Sequence, residues 1–195
     1  MAESFFSDMQ AQAFRSGVPP QTKDAQKWFQ NKVQNMAVPS RNQILKDPSL
    51  KKARKFSPGD MYMYFYDPKM KKELPYYDAF PLTIVVDAAP GGFYGLNMHY
   101  LHPTLRAKLF DALLETTNKK GLTEDTKFQL TYEMLKGTAK MKHFQPCFKH
   151  YLAKHVQSGF ARVEAPEWPI AMFMPLQQFQ KASATKVWAE SRRSV

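Results

Sequence analysis

Apolar positions recur with two different periods along this chain, and the period first changes at Pro58-Gly59. Before that point only TKDAQKWFQNKVQNMA has helical spacing, which brings Trp28, Phe29, Val33 and Met36 near one face with Thr22 or Asp24 placed to cap the start. Pro19, Pro20, Pro39 and Pro48 cut the remainder into short pieces. The last of these, KDPSLKKARKFSPGD, is basic and poor in apolar residues until Phe56. Residues 1–58 are therefore predicted to form an extended amino-terminal arm with one short helix, an arm that gains order by lying on a neighbour.

From residue 59 the period shortens to two. MYMYFYD reads as a strand with Tyr62, Tyr64 and Tyr66 on one face and Met61, Met63 and Phe65 on the other, so that both faces are covered. A loop pinned by prolines, DPKMKKELPYYDAFP, leads into LTIVVDA, the strongest strand signal in the chain. APGG reads as a hairpin turn, because consecutive glycines tolerate positive φ, and FYGLNMHYL reads as the return strand.

Helical spacing then returns in three stretches. HPTLRAKLFDALLET aligns Leu105, Leu109, Ala112 and Leu113; TEDTKFQLTYEMLKG is capped by Thr123 and stopped by Gly137; KHFQPCFKHYLAKHVQSG ends near Gly159. FARVEAPEWPIAMFMP reads as two short strands broken by Pro166 and Pro169, and LQQFQKASATKVWAESRRSV as a closing helix with a basic tail. The order predicts an α+β fold. It comprises a small antiparallel sheet or SH3-like barrel with a three-helix insertion at about 103–157, the amino-terminal arm and a C-terminal helix. Residues 59–195 are expected to be a single domain.

Composition sharpens this outline. A chain of 195 residues that is 44% apolar can bury one good core. The single Cys147 excludes an internal disulfide, as suits a reducing compartment. No run approaches the roughly 18 apolar residues of a membrane span, and MAESFFSDMQAQAFRSG lacks the order of a signal peptide. A soluble protein is expected, with no membrane span. The net charge of +11 points to a polyanionic or acidic neighbour. That charge is uneven: +6 over residues 1–58, −2 over 59–100, +5 over 101–157 and +2 over 158–195. The aromatic middle is an acidic island in a basic chain.

Candidate chemistry is sparse. His143, Cys147 and His150 have the spacing of one helical face, but Pro146 interrupts them and no fourth ligand lies nearby, so packing by Cys147 with exposed histidines is the preferred reading. Asp60, Asp67, Glu73, Asp78 and Asp87 are the carboxylates that a metal-dependent nuclease would need, yet they sit where turns and strand ends favour Asp anyway. PGGFYG lacks a phosphate-binding lysine, and no nucleophile motif is present. The chain is expected to be no enzyme and to carry neither cofactor nor metal. LKKARK at 50–55, with Arg41 and Lys46, has the composition to neutralise phosphates, and Phe56 is placed to stack on a base.

The block from MYMYFYD through LHPTLRAKLFDALL, with FKHYLAKHVQSGFARV and AMFMPLQQF, resembles small basic proteins of large contractile-tailed bacteriophages. The resemblance covers roughly residues 55–195, and LPYYDAFP is its most specific element. It implies a virion structural protein of tail, baseplate or neck type, made in the host bacterial cytoplasm and present in symmetric copies bound to other virion proteins. On this reading the 1–58 arm and the 66–82 loop bind neighbouring subunits. The residues expected to contact partners are Trp28, Phe29, Lys51, Lys52, Arg54, Lys55, Tyr76, Tyr77 and Phe80. The alternative is a head or neck protein that touches DNA or binds its ends, with Lys51, Lys52, Arg54, Lys55, Arg192 and Arg193 facing phosphate.

Overall fold

The computed structural model describes residues 4–19, 22–117 and 144–193, together with 133, 134, 136, 137 and 140. Its centre is an antiparallel sheet of six strands: β1 (Lys51–Ala53), β2 (Met61–Met63), β4 (Leu82–Ala89), β5 (Gly92–Asn97), β6 (Phe148–Leu152) and β7 (Phe160–Val163). They lie in the order β1-β7-β2-β4-β5-β6. The ladder is open, with β1 and β6 at its edges, so of the two predicted architectures the sheet is realised. A second, two-stranded ladder pairs β3 (Tyr77–Asp78) with β8 (Phe179–Gln180).

Alternation along β2 gives the sheet two different faces. Met61 and Met63 join Leu82, Ile84, Leu96 and Val163 in the main core beneath the helices. Tyr62, Tyr64 and Tyr66 join Val85, Phe93, Tyr151 and Phe160 in a separate aromatic layer on the other side. Alternation along β4 serves both, with Leu82, Ile84 and Val86 in the main core and Val85 in the aromatic layer, and the pairing with β5 shifts register between Val85 and Asp87. The β4–β5 hairpin turns at Gly91, whose φ of 72° is the left-handed conformation that glycine supplies without a Cβ clash. At Gly92 a Cβ would run into the Tyr151 carbonyl oxygen, so the absence of a side chain is what admits β6 alongside β5.

Residues 5–53 differ from the extended arm expected of them. They form α1 (Phe5–Arg15), α2 (Lys23–Gln34), α3 (Arg41–Leu45) and the edge strand β1. Phe6, Met9, Val33 and Ile44 are at most 1% exposed and belong to the same core as Met61 and Leu82. Each such burial removes apolar surface worth about 1.5–3 kcal/mol from water. Because those apolar residues come from three short helices cut apart by prolines, no single window showed the face they make together. The Asp47 carboxylate fixes this region. It accepts hydrogen bonds from the Phe5 and Ser49 amides (2.8 and 2.9 Å) and from the Ser4 hydroxyl (2.8 Å), which ties the α1 N-terminus to the turn before β1.

Two further expectations are corrected. The third predicted helix, 142–159, contains β6 instead: Pro146 removes a helical donor, and Phe148 to Leu152 pair with Leu96 to Gly92. The second strand expected in FARVEAPEWPIAMFMP is the helix α5 (Trp168–Phe173), where Pro169 occupies the first turn, a position in which its missing N–H costs nothing. Ile170, Ala171, Met172 and Phe173 are all buried there, and an all-apolar run of that length carries no period by which to tell helix from strand. The helix expected over 102–116 is present as α4 (Pro103–Thr117); of the closing helix expected over 176–195, Ala184–Arg193 is helical (α6), while Phe179–Gln180 forms β8. The helix predicted for 123–137 lies almost wholly outside the described residues. Among the described residues no helix is long and apolar enough to cross a membrane.

Candidate nucleic-acid interface

The end of β1 and the segment 153–160 enclose an open cleft of about 480 Å³. Arg54, Lys55 and Phe56 form one wall, Ala153, Val156 and Ser158 the other, and Phe160 lies between them. The second wall is held by β2's continuation. The Gln157 amide donates to the Phe65 carbonyl oxygen (2.8 Å), the Phe65 amide to the Ser158 hydroxyl (2.9 Å), and Tyr66 bridges to Val156. Phe56 stands 4.5 Å from Phe93, centroid to centroid, and 6.5 Å from Phe160, so the cleft is floored by the edge of the aromatic layer.

Charge at this edge is divided. Lys51 is paired with Glu164 at 2.6 Å, and Arg162 with Asp60 at 3.1 Å. Lys52 donates to the Leu45 carbonyl oxygen, and burial, only partly opposed by Asp47, lowers its pKa. Arg54 and Lys55 in the cleft wall, and Lys154 next to the lining residue Ala153, are exposed, and among the described residues none has a carboxylate within ion-pair distance. The cleft thus sets two unneutralised cations, Arg54 and Lys55, beside a half-open apolar floor, a charge pattern complementary to a polyanion. Arg41, counted with this patch in the sequence, is used elsewhere: its guanidinium donates to the Leu176 and Gln177 carbonyl oxygens, both at 2.7 Å.

The remaining partner candidates fall in two other places. Phe29 is 5% exposed, with Trp28 half-buried against it at 5.1 Å in a T-shaped contact and Lys32 over the indole at 5.7 Å. Phe80 is fully buried, 4.9 Å from Phe65, and thus a core residue rather than an anchor for a partner. Tyr77 pairs with Gln180 in the small ladder. Tyr76 lies 6.1 Å from Tyr100; burial first, then a hydrogen bond with Glu190, pushes its phenol up to about 12. Arg192 and Arg193 are exposed at the end of α6, where Arg192, after burial, helps to lower the pKa of His102.

The carboxylates considered for a metal are dispersed. Asp60 accepts from the Tyr62 hydroxyl and Arg162, Asp67 is paired with Lys71, and Asp87 with Lys136. Among the described residues no group of three His, Cys, Asp or Glu could hold a metal ion. His143 lies outside those residues. The Cys147 thiol donates to the Phe144 carbonyl oxygen and burial pushes it up to about 12, while the His150 ring lies 3.1 Å from the Pro90 carbonyl oxygen.

Sequence reasoning missed a buried polar network centred on the Asp78 of LPYYDAFP. Asp78 Oδ2 lies 2.7 Å from His99 Nδ1 and accepts from Asn97 Nδ2 (3.1 Å), while Oδ1 accepts from the Phe80 and Gln178 amides (3.0 and 2.9 Å). The buried Arg106 guanidinium and the Trp188 indole both donate to the His99 carbonyl oxygen. The one available signal was an aspartate set among aromatic residues, where a turn former need not be buried. Asp78, Asn97, His99 and Arg106 at its centre are buried, so the network joins the small ladder to the main sheet.

A family model described as phage T4 terminal DNA protecting protein matches residues 1–191, including the amino-terminal region that the resemblance left out. Neither the curated proteins nor the solved structures contain a match.

Proposed function

The chain belongs to the phage T4 terminal DNA protecting protein family, and from there we propose that it binds the ends of linear phage DNA within the virion. It does so through the cleft between Arg54–Phe56 and 153–160. The observation that carries this reading is the pair of exposed cations, Arg54 and Lys55, that line a partly apolar cleft at a sheet edge, with exposed Lys154 next to the lining residue Ala153. The family description favours the DNA-end alternative over the tail or baseplate subunit expected first. Phosphate contacts supply the affinity, since each cation that displaces condensed counterions adds a salt-dependent increment. The protein acts by occupying the terminus and not by chemistry upon it, which makes it a binder and no enzyme. Binding to neighbouring virion proteins through other surfaces is compatible with this role.

The test is protection. A blunt linear duplex is incubated with the wild-type chain or with Arg54→Ala/Lys55→Ala and then with an exonuclease that enters at ends. Wild type is expected to slow digestion and the double variant to lose most of that protection. Digestion at the same rate with and without wild-type protein overturns the reading.

A further inference from the structure

Among the described residues only two large apolar side chains are strongly exposed, Phe14 at 83% and Met70 at 53%. Phe14 edges an apolar groove that includes Val18, Phe29 and Pro169, surroundings suited to protein. Met70 is different, because it stands at the tip of a turn whose sequence is PKMKK and is flanked by exposed Lys69, Lys71 and Lys72. Lys71 is paired with Asp67 at 2.8 Å; Lys69 and Lys72 have no carboxylate within ion-pair distance among the described residues.

This turn is built to hold its tip out. The Lys71 amide donates to the Pro68 carbonyl oxygen (3.2 Å), and the Glu73 and Leu74 amides to that of Met70 (both 3.0 Å), so it is wound and not extended. One foot is clasped by 155, where the Asp67 amide donates to the His155 carbonyl oxygen (3.0 Å) and the His155 ring Nδ1 lies 2.9 Å from the Asp67 carbonyl oxygen. The other foot is gripped by Lys181, whose ammonium donates to the Lys72 and Leu74 carbonyl oxygens at 3.0 and 2.9 Å. Lys181 has φ 68°, left-handed backbone that costs a non-glycine residue about 1 kcal/mol or more, tolerated here where its side chain clamps the turn.

An apolar tip ringed by cations matches one kind of surface well. A duplex end presents the flat apolar face of its last base pair, bordered by phosphates on both strands. We propose that Met70 packs against the face of the terminal base pair, as apolar wedges do between base steps, while Lys69 and Lys72 face the flanking phosphates. Ala153 and Val156 line the cleft, and His155 between them clasps the foot of this turn, so one segment joins the cleft that carries Arg54 and Lys55 to the turn that carries Met70. This inference rests on the DNA-end reading and adds to it the element that tells an end from the middle of a duplex.

Two probes of one sequence separate the possibilities: a blunt linear duplex and the same duplex closed at both ends by hairpin loops. Binding of each is followed by fluorescence anisotropy at fixed salt. Wild type is expected to prefer the open probe, and Met70→Ser to lose about tenfold of that preference, the scale of one stacking contact, while its affinity for the closed probe is unchanged. Met70→Leu should keep the preference. If Met70→Ser keeps it too, or weakens both probes equally, the inference is wrong although the DNA-end reading stands. If wild type binds the two probes alike, the DNA-end reading itself fails and takes the inference with it. Arg54→Ala/Lys55→Ala serves as the contrasting variant, weakening both probes without erasing the preference.

Discussion

His99 Nδ1 lies 2.7 Å from Asp78 Oδ2, with the two side chains 0% and 1% exposed. The pair welds the LPYYDAFP segment to the end of β5, and the amides of Phe80 and Gln178 and the amide group of Asn97 converge on the same carboxylate. Asp78→Ala leaves all of these without their partner in a dry interior. A buried donor left without its acceptor costs about 1–3 kcal/mol, and urea unfolding should show a loss of at least that size. A loss under about 1 kcal/mol would mean that the network does not hold the two ladders together.

The same pair sets a pH dependence. Burial lowers the His99 pKa, and Arg106 and Arg41 add to the fall, against an opposing pull from Asp78. The unfolded chain takes up this proton near 6.5, whereas the folded chain takes it up only at lower pH. Below about 6.5 the unfolded state therefore binds more protons, and stability falls as pH falls through that window, by at most about 1.4 kcal/mol per pH unit for one group. Asp78 contributes in a different range. Burial raises its pKa, but His99 and the two amides outweigh burial and hold it below the ordinary 3.8, so its contribution is lost only in stronger acid. Unfolding curves at pH 7.5 and 5.5 should show the first slope, and His99→Gln should reduce it, leaving the part contributed by His102, whose pKa is lowered as well.

Phe6 is fully buried in the main core although it lies in the first helix. Phe6→Ala is expected to cost about 3–5 kcal/mol. Limited proteolysis of the isolated chain should spare residues 5–53, and rapid cleavage there would restore the extended arm that the sequence suggested.

Lys51 and Arg54 are three residues apart and differ in use. Glu164→Gln breaks an exposed pair and should change stability by under about 1 kcal/mol. Arg54→Ala/Lys55→Ala should leave stability equally unaffected but lower the salt slope of DNA binding by about two, roughly one for each phosphate that is no longer neutralised. Both quantities come from unfolding curves and from binding titrations at several salt concentrations.

How far the sequence disclosed this molecule depended on whether the determinant was local. LTIVVDA, the APGG turn and the alternation of Met61 to Tyr66 each carry their signal within a few residues, and each is present. The amino-terminal helices and β6 were misread because their evidence is tertiary. Phe6, Val33 and Ile44 become one face only when three pieces pack, and Phe148–Leu152 is a strand because Gly92 lets it approach. For the proposed site, LKKARK supplies one wall of the cleft, but charge alone could not show that Lys51 is spent on Glu164 while Arg54 and Lys55 have no carboxylate partner among the described residues.

The central claim, that the cleft beside Phe56 receives a DNA end, is tested most directly by photocrosslinking. A photoreactive phenylalanine analogue is placed at position 56, the protein is irradiated with a linear duplex, and the adducts are mapped to single base pairs. Adducts confined to the last few base pairs at either end are the expected result. Adducts spread evenly along the duplex, or none at all while the protein remains bound, would contradict the account.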